Sequence, residues 1–185
     1  MKITATSLDG VDILEPDVFG DDRGYFMETY QANRYGQFSV DRVFVQDNLS
    51  FSKKGTLRGL HYQLPHPQAK LIQAVSGEIY DVAVDIRRDS STFGRWVGVH
   101  LSDKNHRQFF VPEGFAHGFC VLSETAHVMY KCTELYHPDD EKGVLWSDPA
   151  IGIDWPVKNP CLSPKDMQYP CLKDIPFEQL FQQST

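Results

Sequence analysis

Short segments rich in β-branched and aromatic residues recur along this chain, and turn signals separate them. This spacing is typical of an antiparallel sandwich or barrel and disfavours a helical or βαβ architecture. In residues 80–86 apolar side chains alternate with Asp81, Ala83 and Asp85, so the period of two predicts a half-buried strand. The predicted strands are 44–45, 70–75, 78–86, 96–101, 108–111, 119–122 and 127–133.

Helical signals are sparse. Residues 31–38 predict one short helix, and Asp174 predicts a cap for an apolar turn that starts at Ile175. Prolines recur through residues 148–176, and a proline cannot donate to a central strand ladder. We therefore expect this proline-rich stretch to wrap the outside of the sheet or to pass over a cavity mouth.

The bulk properties restrict the class of protein. A chain of 185 residues with 41% hydrophobic content is expected to form one domain over residues 1–185. Its formal charge of −7 argues against nonspecific nucleic-acid binding, which needs a basic surface. An anionic ligand must therefore meet a local positive pocket, for which the candidates are Arg23, Arg58, Lys70 and Lys165.

Targeting and cofactor motifs are missing from the sequence. The first twenty residues are acidic and lack the apolar core of a signal peptide, and no apolar run approaches the roughly 20 residues that cross a bilayer. Four cysteines without CxxC spacing indicate reduced packing residues. We expect a cytoplasmic protein without membrane contact. The absence of GxGxxG, P-loop and GxSxG patterns argues against the common dinucleotide, nucleotide and hydrolase designs.

The segment 56–63 places Arg58 three residues before His61. Arginine presents a permanent fork of donors to phosphate or carboxylate, whereas histidine can take or give a proton near neutral pH. The pair predicts anion capture beside a proton-transfer group, although both residues could also be structural. In a regular strand the two side chains point to opposite faces, so a shared cavity requires a bulge at Gly59.

Further candidates for chemistry are His117, which lies between glycines at a turn, and Tyr130, whose phenol could donate a proton or simply pack. An orienting carboxylate for His61 could be Asp81, Asp85 or Asp166, and sequence distance does not choose among them. His66, His117 and His127 are spread along the chain and give no metal-ligand spacing, so we predict no metal.

Five blocks together closely resemble the dTDP-4-dehydrorhamnose 3,5-epimerases of the cupin superfamily, and the likeness spans residues 1 to about 170. The five blocks follow one another in the order that the family has. The blocks are Asp22-Arg23-Gly24-Tyr25-Phe26, Gln46-Asp47-Asn48, Leu57-Arg58-Gly59-Leu60-His61-Tyr62-Gln63, Pro112-Glu113-Gly114-Phe115-Ala116-His117-Gly118-Phe119 and Asp148-Pro149-Ala150-Ile151-Gly152-Ile153-Asp154-Trp155-Pro156.

The resemblance implies an all-β cupin double-stranded β-helix, or jelly-roll barrel, with a few short peripheral helices. It implies a cofactor-free and metal-free homodimer that exchanges N-terminal strands and acts on a dTDP-linked 4-keto-6-deoxyhexose. On this chain, His61 corresponds to the base, Asp166 to its orienting carboxylate, Tyr130 to the proton donor and Tyr136 to the residue that stacks on thymine. The ligand-contacting positions correspond to Arg23, Phe26, Glu28, Gln46, Asp47, Asn48, Arg58, Lys70, His117, Phe119, Glu141 and Lys165.

The implied reaction explains why the site needs a base, an acid and a cation. A C4 ketone acidifies the protons on both neighbouring carbons, and the enolate that forms needs a cation or donor, for which Lys70 is the candidate. Inversion of a carbon needs a base on one face and an acid on the other. The alternatives are an epimerase of one centre or a ketoisomerase relative, and a non-catalytic cupin that binds a nucleotide sugar.

Overall fold

The computed structural model describes residues 1–36 and 40–182, and this part of the chain is built mainly from short antiparallel strands. Its only α-helix is α1 (Ala32–Tyr35), and single 3₁₀ turns span Pro138–Asp140, Leu172–Asp174 and Phe177–Gln179. The strands are β1 (Lys2–Ala5), β2 (Asp12–Glu15), β3 (Val18–Asp21), β4 (Gly24–Met27), β5 (Gln46–Lys53), β6 (Leu57–Gln63), β7 (Lys70–Ser76), β8 (Glu78–Asp85), β9 (Trp96–Ser102), β10 (Gln108–Val111), β11 (Phe115–Val121), β12 (Thr125–Cys132) and β13 (Glu141–Gly143).

Two large sheets enclose the main core. The first has the strand order β1-β2-β10-β7-β12-β5 and the second has the order β13-β6-β11-β8-β9, while β3 and β4 form a separate hairpin. The apolar cluster between the sheets takes Ile72 and Phe109 from the first sheet and Ile79, Leu101 and Phe119 from the second. Burial of this cluster is the main stabilising contribution to the barrel, and the predicted all-β jelly-roll fold is confirmed.

Strand β8 is buried on both faces, so the prediction of a half-buried strand is wrong. Val82 and Val84 face a second apolar cluster that includes Ile151, Leu172 and Ile175 from the proline-rich stretch. That stretch therefore covers the outer face of the second sheet, as predicted. The alternation gave a wrong prediction because the aspartates of β8 are buried rather than exposed to water. Each has a partner side chain, as a buried charge must have.

Several boundaries differ from the predictions. Residues 44–45 precede β5 rather than forming a strand, because Phe44 packs on a third apolar cluster. Strand β11 begins four residues before the prediction and β12 two residues before it. The list of predicted strands lacks the short strands β1 to β4 and β13, the largely polar strand β5, and β6, which was considered only as the segment that carries Arg58 and His61.

The helical predictions are partly right. Gln31 is the N-cap of α1, where its side chain accepts a hydrogen bond from the Arg34 N–H, and residues 37 and 38 of the predicted helix lie outside the described residues. Asp174 does not cap a turn: it lies inside a 3₁₀ turn, and the next turn starts after Pro176 without a side-chain cap. None of the helices in residues 1–36 and 40–182 is long and apolar enough to cross a membrane.

Candidate active site

A cleft of about 480 Å³, including its open mouth, lies between the two sheets. Strands β5, β7 and β12 of the first sheet supply one wall, and β6 and β13 of the second sheet supply the other. The lining residues are Gln46, Asn48, His61, Tyr62, Gln63, Gln68, Lys70, Tyr130, Tyr136 and Glu141.

His61 is paired with Asp166 at the cleft wall. The Nε2 atom of His61 lies 2.6 Å from Oδ1 of Asp166, and the Asp166 side chain is only 5% exposed. The backbone N–H of Asp166 donates to Ser163 Oγ, which fixes the turn that carries the carboxylate. Burial alone would raise the pKa of Asp166, but its hydrogen bond and charge interaction with His61 outweigh burial and lower it. An ionised Asp166 therefore holds the imidazole with its other nitrogen available.

Arg58 and His61 lie on the same face of β6 because a bulge at Gly59 breaks the strand register. His61 pairs with His117 while Arg58 pairs with Phe119, so the two residues between them on β6 oppose the single residue Gly118 on β11. Gly59 has a φ of +127°, and a Cβ there would lie 2.6 Å from the Gly118 Cα. Only glycine fits, so the predicted bulge is confirmed.

A second imidazole–carboxylate pair lies on the neighbouring strands. His117 Nε2 is 2.7 Å from Asp81 Oδ1, and both side chains are buried. Burial raises the pKa of Asp81, although its interactions with His117 and Lys70 oppose this rise. His117 is next to His61 in register but does not line the cleft, so its predicted ligand contact remains a prediction.

Tyr130 and Lys70 form the opposite wall, on adjacent strands of the first sheet. Tyr130 packs against the main core and also lines the cleft, so a packing role and a proton-donor role are compatible. Burial raises the pKa of the Tyr130 phenol, which keeps it protonated at neutral pH and able to donate. Burial lowers the pKa of Lys70, against the opposing effects of Cys132, Asp81 and Glu141.

Tyr136, Glu141 and Lys165 form a hydrogen-bonded group at the rim of the cleft. Tyr136 donates to Glu141 Oε2 at 2.5 Å, and Lys165 Nζ lies 2.5 Å from the same oxygen. The bond to Glu141 raises the pKa of Tyr136 to about 12. Burial would raise the pKa of Glu141, but the bonds from Lys165 and Tyr136 lower it. The group fixes the Tyr136 ring at the mouth, where an aromatic ligand could stack on it.

Three predicted contact residues lie away from the cleft. Asp47 points to the other face of β5 from its neighbours and pairs with Lys131 at 2.9 Å, as alternation along a strand requires. Glu28 pairs with Arg34 at 3.3 Å, and Phe119 packs in the main core.

Arg23 and Phe26 lie on the β3–β4 hairpin, which is highly exposed. The Arg23 side chain is 90% exposed and pairs with the nearby Asp21, and Phe26 is 70% exposed. Arg58 lies nearer the cleft wall, where its Nε donates to Ser52 Oγ at 3.0 Å. Arg23 and Arg58 are therefore not gathered into one pocket within the described part of a single chain.

Sequence reasoning missed Tyr62, Gln63 and Gln68 as cleft residues and missed Tyr169 as a neighbour of His61. The rings of Tyr169 and His61 are 5.7 Å apart at their centroids, and a Cβ on Gly143 would collide with the Tyr169 ring. Tyr169 lies three residues after Asp166 in the sequence, and this spacing was the available signal that it lies near His61.

One group among the described residues has the composition and spacing to hold a metal ion. It consists of His66, His137 and Asp140, and none of these three lines the cleft. The predicted catalytic groups therefore do not coincide with it.

Comparison with known proteins identifies the family. The family model of dTDP-4-dehydrorhamnose 3,5-epimerase matches residues 5–174. The chain is 53% identical over 178 residues to the dTDP-4-dehydrorhamnose 3,5-epimerase of Methanothermobacter thermautotrophicus, covering 95% of this chain and 96% of the relative. It is 55% identical over 169 residues to the Shigella flexneri enzyme of the same name, covering 90% of this chain and 93% of the relative.

A solved structure agrees in fold over the whole chain. The dTDP-6-deoxy-D-glucose-3,5-epimerase of Legionella pneumophila, in complex with dTDP-4-keto-L-rhamnose, superposes with a TM-score of 0.97 at 49% identity and covers 100% of this chain and 99% of its own. The resemblance found in five sequence blocks is thereby confirmed: the chain belongs to the dTDP-4-dehydrorhamnose 3,5-epimerase family.

Proposed function

We propose that this chain is a cofactor-independent isomerase that inverts C3 and C5 of dTDP-4-dehydro-6-deoxy-D-glucose, giving dTDP-4-dehydro-L-rhamnose for dTDP-L-rhamnose synthesis. The observation that carries the proposal is the position of an oriented imidazole and a protonated phenol in one cleft. His61 stands on the second sheet and Tyr130 on the first, so the base and the acid come from opposing walls. A protein that only binds a sugar has no need of this arrangement.

The proton transfers balance at each carbon. His61 removes the proton next to the C4 ketone, and the electron pair of the C–H bond moves into an enolate whose oxygen receives a hydrogen bond from Lys70. Tyr130 then gives its phenolic proton to the same carbon from the other face, and the ketone forms again. The imidazolium returns its proton to the phenolate through the cleft or solvent, so both groups are restored before the second carbon reacts.

Lys70 is suited to the enolate because burial keeps its ammonium away from bulk water, where its field would be screened. Burial also lowers the pKa of Lys70, so its value is closer to that of the enol whose oxygen it contacts. The anionic Asp166 on the other wall stabilises the His61 imidazolium that forms in the same step. Each developing charge therefore has a partner of opposite sign.

We further propose that the enzyme is a homodimer in which the β3–β4 hairpin reaches the cleft of the partner. Phe19, Tyr25 and Phe26 are 66%, 57% and 70% exposed on this hairpin, which is unusual for large apolar side chains next to one another. A partner cleft would bury them and would bring Arg23 to the diphosphate, joining Arg58. The free state of Cys120, Cys132, Cys161 and Cys171 supports the cytoplasmic location expected from the sequence.

Solvent deuterium incorporation tests the reaction. The enzyme is incubated in D₂O with the dTDP-linked 4-keto-6-deoxyglucose, and the product is analysed by mass spectrometry and NMR. We expect deuterium at both C3 and C5 with inversion of both. Deuterium at one carbon would identify a single-centre epimerase, and saturable binding without any exchange would identify a sugar-binding protein. Either result would overturn the proposed double inversion.

A further inference from the structure

We propose that His66, His137 and Asp140 form a binding site for a divalent transition-metal ion of the Zn²⁺ class, outside the catalytic cleft. Each residue offers one ligand atom, and these atoms lie within 4.8 Å of one another. Two imidazoles and a carboxylate are a donor set that borderline cations such as Zn²⁺ bind well. Since none of the three lines the cleft, the ion would have a structural role and would not touch the reacting carbons.

The side chains are already gathered. His66 Nδ1 lies 2.5 Å from Asp140 Oδ2, and the rings of His66 and His137 stack with centroids 4.4 Å apart and an interplanar angle of 24°. Zinc–ligand distances of ~2.0–2.2 Å place neighbouring ligand atoms ~3–3.5 Å apart in a tetrahedral site. Small side-chain rotations are therefore sufficient to bring the three atoms onto one ion.

The backbone around the imidazoles is restricted by proline. His66 stands between Pro65 and Pro67, and His137 immediately precedes Pro138. Proline fixes its own φ and limits the conformations of the residue before it. Both histidines are therefore held by segments with little freedom to lose, which lowers the entropic cost of binding an ion.

A buried glutamine joins the two segments that carry the ligands. Gln63 is 5% exposed, its side-chain amide donates to the His66 carbonyl, and its Oε1 accepts the His137 N–H at 2.9 Å. The Leu64 N–H also donates to the Asp140 carbonyl at 3.1 Å. These bonds set the spacing of the three ligands without the ion, so the site is organised in advance.

A bound ion would also tie together the rim of the cleft. His137 follows Tyr136 and Asp140 precedes Glu141, and the Tyr136–Glu141 hydrogen bond closes this segment at the mouth. The ion would link the segment to the loop that carries His66. Binding to the folded chain alone raises its stability by mass action.

The test uses the full chain, stripped with a chelator and titrated with ZnCl₂ by calorimetry. We expect one Zn²⁺ per chain and an increase in Tm. His137→Gln and Asp140→Asn should each lower the affinity at least about tenfold and remove the increase in Tm, since even outer-shell changes cost about that much. The control is His100→Gln, because His100 forms a surface pair with Glu78 at 2.9 Å and should not alter Zn²⁺ binding.

Three results would overturn the proposal: no saturable binding by the parent, affinity unchanged in both variants, or loss of binding in His61→Gln with retention in His137→Gln. The last result would place the ion on the catalytic pair instead. His137 is 40% exposed, so its substitution should leave the fold intact, and circular dichroism of each variant checks this.

Discussion

The cleft wall and the β3–β4 hairpin both carry residues of the predicted site, but they differ in burial and in how their side chains are held. In the cleft, His61 and Tyr130 are partly buried and lie on opposing sheets, and His61 is fixed by a buried partner. On the hairpin, Arg23 and Phe26 are exposed and are not among the residues that line the cleft. The groups proposed for chemistry are organised within one chain, whereas Arg23 and Phe26 would reach a cleft only in the proposed homodimer. Substitutions in the cleft should therefore change kcat, and those on the hairpin should change KM.

The largest effect is expected at the proposed base. His61→Ala should lower kcat by at least about 10²–10⁴-fold and abolish deuterium exchange at both carbons, because no group remains to remove the proton. Tyr130→Phe should retain some exchange but block inversion. The measurement is proton NMR of the substrate in D₂O. The matched control is His100→Ala, which removes an imidazole paired with a carboxylate at the surface; turnover of His61→Ala equal to this control would remove the base assignment.

Lys70→Met should lower kcat by about 10²–10³-fold with a smaller change in KM, since the ammonium acts on an enolate that exists only during the reaction. Methionine keeps most of the side-chain volume on β7, so stability should change little. Steady-state kinetics at saturating substrate checks this prediction. An increase in KM at constant kcat would mean that Lys70 only binds the ground state.

The hairpin is tested by mixing two variants. Arg23→Ala should raise KM about 10–100-fold through loss of a charged hydrogen bond to phosphate. If Arg23 serves the partner's cleft, then mixing Arg23→Ala with His61→Ala chains restores activity in about one quarter of the sites after random reassortment. Activity measured after dilution and reassembly shows whether Arg23 serves the partner's cleft or the cleft of its own chain. If mixing restores nothing while Arg23→Ala alone is impaired, Arg23 acts in its own chain. Lys104→Ala, which removes a cation of equal 90% exposure, is the control.

The smallest effect concerns pH and stability at Asp166. Because its pKa is lower in the folded chain than in the unfolded one, the ionised carboxylate stabilises the fold above the ordinary aspartate pKa of 3.8, and this contribution is lost as pH falls through the folded value. The difference in unfolding free energy between parent and Asp166→Asn should therefore shrink below about pH 4. Urea unfolding from pH 7 to pH 3 measures it, with the exposed Asp174→Asn as reference. A constant difference would show that the pair with His61 does not depend on ionisation.

Most of the fold could be predicted because β-branched and aromatic segments between turn signals report strands locally. The wrong prediction for β8 has a physical cause. Asp81 and Asp85 alternate with apolar residues as a solvated face would, yet both are buried because His117 pairs with the first and Arg87 with the second. His117 lies 36 residues from Asp81 and on another strand, so this pair leaves no local signal. Arg87 is only two residues from Asp85, but the pairing is not visible in the alternation of apolar and polar residues, which was taken for exposure.

The sequence by itself determined the class of fold and the residue types that belong to the family, since these depend on local propensities and on motifs that are contiguous in the chain. It gave the bulge at Gly59 only as a condition for a shared cavity, because the close approach of Gly118 comes from another strand. Residue patterns left the carboxylate partner of His61 open and the family resemblance implied Asp166, whose contact with His61 is seen only in the tertiary structure. Tertiary structure alone decided that Asp47 points away from the cleft and that His66, His137 and Asp140 meet. Each of these depends on which strands become neighbours, and that choice is made by burial of the shared core rather than by any segment in isolation.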